Sequence, residues 1–381
     1  MSVEPIRGAG QSRLTFRRDN AFHKELRQRV DDYFRSSERS PRDSPAMYLK
    51  TAIILAAFAG LYSLLVFVAE AWWQAVPLAV LLSLSMAAIG FNIEHDGSHH
   101  SYSDRAWINR LAAMTMDLIG ASSYVWHWKH VVVHHTYVNI TGHDADIDIA
   151  FFGRLTPHQQ RFKLHRWQHF YLWPLYGLNV VKWNLYDDFR DVILGRIGTT
   201  RMPRPKRWEL AGFVGGKALF VTLAFGLPLL FHSLWMVLLF YVLVAVLAGV
   251  VVSVVFQLAH CVEEADFPLP QANSDSMENA WAVHQVETTV DFSRRSRVQS
   301  WLLGGLNFQI EHHLFPRVCH VHYPAISHLV QQTCREFGVR YGEHTSFRAG
   351  LSSHFRWLRR MGAQTAPGSQ LVVAPEHGPA E

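Results

Sequence analysis

From Thr51 to Val68 the chain runs eighteen residues without a charge, TAIILAAFAGLYSLLVFV. A stretch that long and that apolar, read as helix, spans the ~30 Å hydrocarbon core of a bilayer, which takes about 20 residues. After a break holding Glu70, Trp72 and Trp73, a second apolar run extends from Ala75 to about Ile93. Aromatic rings such as Trp72 and Trp73 belong at a membrane interface. Two further runs follow, Leu210 to Phe231 and Leu234 to Leu258, the first of them carrying Lys217. Lys217 is expected either to snorkel to an interface or to mark a late start of that span. The N-terminal 50 residues carry eleven Lys and Arg, none lies between Lys50 and Arg105, and none lies in the short link His232–Ser233. The positive-inside rule then places the two links outside and both termini in the cytoplasm.

The expected fold is an all-α membrane protein with four transmembrane helices in two hairpins and a cytoplasmic helical cap. The organisation follows from it: residues 1–50 a cytoplasmic N-terminal segment, 51–93 the first hairpin, 94–209 a cytoplasmic segment, 210–258 the second hairpin, 259–361 a cytoplasmic C-terminal part, and 362–381 a disordered tail rich in Gly, Pro and Ala. The weaker apolar stretches Leu111–Trp126 and Phe170–Trp183 are expected to lie in the interface or beneath the hairpins. No dense run of Lys and Arg interleaved with aromatics accompanies the net charge of +5, so nucleic acid is not an expected partner. An anionic membrane face suits that charge better. Three cysteines, with no CxxC, suggest neither a disulfide framework nor a zinc knuckle. The Arg-rich first 45 residues hold no apolar core of the kind a cleavable signal needs.

Twenty-three histidines are present, and the excess is concentrated. HDGSHH begins at His95, HVVVHH at His130 and QIEHH at Gln309, and His260 closes the fourth apolar run. The charge rule puts all of these on one side of the membrane. On helices, His95 and His99 share a face, as do His130 and His134. Adjacent pairs such as His134–His135 and His312–His313 point about 100° apart, so one helix can address two neighbouring ions. Neutral imidazole suits iron, zinc, copper and nickel. The chain contains no HExxH and no Glu-x-x-His, which removes the common zinc-protease and carboxylate di-iron patterns. The scattered His23, His143, His158, His165, His169, His232 and His354, and with them His320 and His322, read as surface or hydrogen-bonding residues.

The three boxes, in the order HxxxH, HxxxHH and QxxHH, resemble those of the integral-membrane fatty-acid desaturases from about Asn92 to Pro316. The Gln-first third box is closer to the front-end and sphingolipid branches than to the stearoyl-type branch. The resemblance implies a non-haem centre of two iron ions that uses O₂ and two electrons to place a double bond in an acyl chain. It implies His95, His99, His130, His134, His135, His312 and His313 as ligands, and His260 as a further ligand from the fourth span. His100, Gln309 and His284 are candidates for a ligand or for a supporting contact. Asp96 and Glu311 are expected to hold the other N–H of a ligand imidazole. Asp144, Asp146 and Asp148 are expected to meet histidine or arginine, with a solvated loop as the alternative. Arg154, Arg161, Lys163 and Arg166 suit either a phosphate-bearing head group such as CoA or a plain positive-inside face.

The substrate carrier is CoA, ACP or a lipid, and its acyl tail is expected in an apolar tunnel between the spans and the cap. No HPGG haem motif occurs, and the N-terminal segment is too short for a fused cytochrome b5. Electrons are therefore expected from a separate ferredoxin or b5-like donor with its reductase. A hydroxylase on the same irons is the near alternative, and a divalent-metal transporter the remote one. The transporter would need ionisable residues along the spans, and the first, second and fourth runs lack them.

Overall fold

A computed structural model describes residues 14–272 and 274–363. All but the first two residues of the expected tail 362–381 fall outside the described residues. The described residues are mostly helical, and the strands among them form three short two-stranded pairs. Thr15–Arg17 runs parallel to Ser276–Ala280, and Asp291–Phe292 runs parallel to Glu343–His344. Arg196–Ile197 and Thr200–Arg201 form a small hairpin.

Among the described residues, four helices are long and apolar enough to cross a membrane: Pro45–Phe67, Trp72–Ser98, Trp208–Leu230 and Leu234–His260. Apolar side chains such as Ile53, Leu64, Leu81, Leu84, Val214 and Leu239 point outward from them. Helices with apolar residues on every face need an apolar surrounding. The first helix starts six residues before the charge-free run, with Pro45 in its first turn, where a missing N–H costs nothing. It packs on the second, and the second packs on the fourth. At one end the two links meet: the Phe67 and Phe231 rings lie 5.1 Å apart, and His232 Nε2 donates to the Val66 carbonyl at 2.7 Å.

Lys217 departs from both expectations. The third helix begins well before it, and its ammonium is buried rather than snorkelling. Nζ pairs with Asp188 at 2.6 Å and donates to the carbonyls of Gly120 at 2.7 Å and Asn184 at 3.3 Å. Three acceptors replace the water that the charge loses.

The stretch Leu111–Trp126 breaks into the short helices Ala106–Ala113, Thr115–Leu118 and Ser123–Trp126, and Phe170–Trp183 falls in Gln168–Tyr176 and Leu178–Lys182. The latter pair packs along the fourth long helix. A Cβ at Gly249 would sit 2.4 Å from the Gly177 carbonyl oxygen, so this crossing requires glycine. Two amphipathic helices complete the fold. Ala21–Ser36 buries Phe22, Leu26, Val30 and Phe34, one per turn, and packs on Tyr323–Phe337. Phe347–Ala363 buries Trp357, whose indole stacks on Phe267.

Arg154 and Arg161 do not face outward for a phosphate. Arg154 is fully buried, and its guanidinium donates to the carbonyls of Gln159, Pro157 and Met361. Arg161 donates to the Gly362 carbonyl at 2.7 Å. Both are occupied in tying the last helix to the segment after residue 150.

Candidate metal centre

Four separate parts of the chain bring imidazoles to one place. The second long helix delivers His95 and His99 at its end, the fourth delivers His260 as its last residue, and Gln309–Leu314 delivers His312 and His313. The middle box owes its arrangement to a change of helix type. His127–His134 is π-helix, with i→i+5 hydrogen bonds in place of i→i+4. The wider turn advances each residue by about 80° instead of about 100°. His130, His134 and His135 therefore fall on one side, where α-helix would turn His135 away. The ring centroids agree: 5.2 Å between His130 and His134, and 4.9 Å between His130 and His135. A second π segment, Gly90–Glu94, leads directly into His95.

Two groups result. Donor atoms of His95, His99, His130 and His312 lie within 4.8 Å of one another, as do those of His134, His260 and His313. His135 joins them, grouped with His312 and His313. All eight residues are buried. Among the described residues, the Nε2 atoms of His99, His134, His135 and His312 have no hydrogen-bond partner, a costly arrangement for buried nitrogens unless something binds them. Burial, reinforced by neighbouring imidazoles, pushes His99, His130, His135, His312 and His313 well below the ordinary histidine pKa. Burial therefore favours the neutral form, whose lone pairs can donate. The donor set, nearly all nitrogen, fits a pair of borderline transition-metal ions.

Behind the rings stands a layer of orienting contacts. His134 Nδ1 donates to Asp144 at 3.0 Å, and the same carboxylate accepts the backbone N–H groups of Asn139 and Asp146. Burial opposes charge on His134, but the Asp144 carboxylate outweighs it and raises that pKa. Asp146 pairs with Lys129 at 3.0 Å, while Asp148 is exposed and caps Ala150. His313 Nδ1 donates to Gln285 Oε1 at 2.8 Å, and His312 Nδ1 lies 3.3 Å from the Tyr323 hydroxyl. The indole of Trp126 stacks on His130 with centroids 4.6 Å apart. Such partners orient a ligand and raise its basicity. The Gln309 carboxamide reaches inside the cluster, 3.0 Å from His260 Nε2 and 3.3 Å from His313 Nε2.

Several expected contacts lie elsewhere. His100 is exposed, at a positive φ of 57°, outside both groups. His284 Nε2 bonds the Val138 carbonyl at 2.9 Å, so it supports the backbone after the middle box. Asp96 faces His320, whose Nδ1 is 2.9 Å from its Oδ2, and Lys50 stands 2.9 Å from the other nitrogen of that ring. Glu311 accepts from Tyr341 at 3.0 Å. Burial, then the neighbouring Asp291 carboxylate, pushes Glu311 well above the usual carboxylate range. Neither acid reaches a box imidazole. Residues that went unnoticed in the sequence are Gln285, Tyr323, Trp126 and Asn139. The Asn139 amide, at a positive φ of 57°, donates to the carbonyls of His260, Asp266 and Thr288. Only Gln285 carried a signal, as the neighbour of the candidate His284 in WAVHQ.

One side of the centre meets an apolar cavity of about 80 Å³ lined by His95, His130, Gln309, Trp126, Val252 and Phe256. A second cavity, of about 210 Å³, lies between the long helices, and the two share Met86, Ile119 and Asn184.

The family model described as fatty acid desaturase matches residues 71–345. The chain is 37% identical over 351 residues to the sn-1 linoleoyl-lipid 6-desaturase of Synechocystis sp., covering 92% of this chain and 98% of that protein. It is 38% identical over 365 residues to the protein of the same description in Arthrospira platensis, covering 95% and 99%. To the acyl-lipid (8-3)-desaturase of Physcomitrium patens it is 38% identical over 349 residues, covering 90% and 72%. With its clustered histidines and its four long apolar helices, the chain belongs to the fatty acid desaturase family and is an oxidoreductase.

Proposed function

We propose that this desaturase acts on an acyl chain esterified in a membrane lipid. It converts a –CH₂–CH₂– unit to –CH=CH– while O₂, the two hydrogens removed, two protons and two electrons become two waters. His95, His99, His130 and His312 would hold one iron ion, and His134, His260 and His313 the other. His135 reaches toward the second of these across the ring of His313, and Gln309 completes the wall. An unactivated methylene has no acidic proton and no leaving group, so the oxidising power must come from the bound irons. The rest falls to the chain's own residues. Asp144, Gln285 and Tyr323 fix the tautomer and the aim of His134, His313 and His312. Trp126, Val252 and Phe256 confine the acyl chain in an apolar, water-poor space beside His95 and His130.

The bilayer reading is part of the proposal. The four long helices cross as two hairpins, with both termini and the histidine centre on the cytoplasmic side beneath a helical cap. The meeting of the two links at the end away from the histidines supports it, as does the absence of Lys and Arg from those links. The acyl-lipid carrier rests on the names of the relatives. Electrons come from a separate ferredoxin or cytochrome b5-like protein docking on the basic face.

The observation that carries the proposal is the convergence of eight buried imidazoles with four unpartnered Nε2 atoms. The test is expression of the full chain in a host of defined lipid profile, with mass spectrometry of the fatty acids and metal analysis of the purified protein. A product two mass units lighter and about two irons per chain are expected. A product sixteen units heavier would make the enzyme a hydroxylase. Stoichiometric zinc without iron, and no lipid change, would sink the proposal.

A further inference from the structure

Lys163, Leu164, Arg166, Trp167 and Phe170 are exposed, whereas His165, Gln168 and His169 between them turn inward. His165 Nε2 bonds the Phe151 carbonyl at 2.9 Å, and Gln168 Nε2 donates to the Leu358 carbonyl at 2.8 Å. The inner side thus anchors the segment, and the outer side mixes cations with apolar and aromatic groups. Trp167 is 55% exposed and Phe170 58%. The Arg166 guanidinium lies over the Trp167 ring, 5.0 Å from its centroid. Arg359, from the last helix, joins this edge beside His169. Glu263 takes up Arg356 at 2.6 Å and Arg360 at 3.7 Å, and among the described residues no carboxylate lies within ion-pair distance of Lys163, Arg166 or Arg359. Unpaired cations set among exposed rings suit the head-group region of a bilayer.

The packing fixes the height of this patch. From Gln168 the chain runs down the fourth long helix. The Ser253 hydroxyl donates to the Tyr176 carbonyl at 3.3 Å, Gly177 meets Val246 and Gly249, and Val180 packs with Ala245 and Ala248. Each step leads away from His260. Gly249 stands eleven positions before His260, about 16 Å along the helix axis. Leu178, at that depth, is again exposed. The segment therefore enters the apolar layer from the histidine end, and Lys163, Arg166 and Trp167 sit where it enters.

We infer that Lys163, Arg166 and Arg359, with Trp167 and Phe170, form a binding surface for anionic phospholipid head groups of the bilayer in which the chain sits. The inference rests on the bilayer reading above. Phosphates and the net negative charge of such lipids supply the acceptors that the three cations lack, and the planar fork of arginine matches phosphate oxygens in pairs. The two rings take the level between head group and acyl chain. A soluble acidic protein would answer the charge, but it could not follow the apolar face down to Leu178.

The test uses the full chain. The three native cysteines are buried, so a nitroxide label can be placed selectively at Leu164→Cys or Phe170→Cys, with Leu239→Cys on the fourth long helix as control. In vesicles of phosphatidylcholine and phosphatidylglycerol, the labels at 164 and 170 are expected to collide with O₂, which concentrates in lipid, more than with a water-borne nickel chelate. Native mass spectrometry of the detergent-purified chain, titrated with either lipid, is expected to show a preference for phosphatidylglycerol. That preference should fall about fivefold for each cation neutralised in Lys163→Gln, Arg166→Gln and Arg359→Gln. A preference unchanged in the triple variant, or labels at 164 and 170 open to the chelate while 239 reports lipid, would overturn the inference. So would shielding of 164 that appears only when an acidic electron-transfer protein is added. A label at 239 that itself meets the chelate would instead overturn the bilayer reading, so the two failures are distinguishable.

Discussion

Asp144→Asn is the sharpest probe of the layer behind the histidines. The carboxylate is buried, with Oδ2 accepting from His134 Nδ1 at 3.0 Å and from Asn139 N–H at 2.9 Å, and Oδ1 accepting from Asp146 N–H at 3.0 Å. The asparagine amide has nearly the same shape but one acceptor end only. If its oxygen keeps His134 and Asn139, its NH₂ confronts the part-buried Asp146 N–H, and these two donors lack an acceptor at a cost of about 1–3 kcal/mol. If it flips, three donors lack an acceptor, the buried His134 Nδ1 and Asn139 N–H among them, so the first orientation wins. Even then the negative charge that makes His134 a better donor is gone. Losing such a supporting partner typically costs 10–100-fold in metal affinity or activity, or about 1.4–2.7 kcal/mol. The assay is iron per chain after purification, at several free-iron concentrations, together with product from the same membranes. The variant should load iron only at higher concentration and lose product in proportion, with helical content unchanged by circular dichroism. Full iron loading and wild-type product would refute the assignment of Asp144 as the group that aims His134.

The remaining predictions concern the fold and the metal. Asp188→Asn strands a buried Lys217 and should destabilise the protein by about 3–5 kcal/mol, whereas the double variant Asp188→Leu with Lys217→Met should recover most of that; thermal unfolding in detergent compares the two, and a double variant no more stable than the single one would contradict it. Gly304→Ala places a Cβ 2.0 Å from the Phe91 carbonyl oxygen at φ +60°, which should lower stability by roughly 3 kcal/mol and disturb the turn before His95; a wild-type unfolding temperature would contradict it. His134→Ala and His312→Ala should abolish product while leaving membrane insertion intact, as read by product analysis beside membrane fractionation. Chelation should remove product, and ferrous iron, not zinc, should restore it.

The local pattern of the chain determined a good deal on its own. Hydropathy is a property of contiguous residues, so four apolar helices could be read from runs of eighteen or more mostly uncharged positions, and their ends came within a few residues. The histidine spacing also survives translation, because positions four apart share a helix face whatever surrounds them. Other features depended on which distant segment arrives alongside. Lys217 looked like a residue in need of water because its partners, Asp188 and the Gly120 carbonyl, lie 29 and 97 positions away. Asp96 adjoins His95 in sequence, yet its carboxylate points to His320, 224 positions on. Gln285 and Tyr323 are ordinary in their own neighbourhoods and meet His313 and His312 only when Gln309–Leu314 is laid against them. The π turns are of the same kind: periodicity in the sequence assumes 3.6 residues per turn, and only packing around a crowded centre makes the wider turn at 127–134 the cheaper solution.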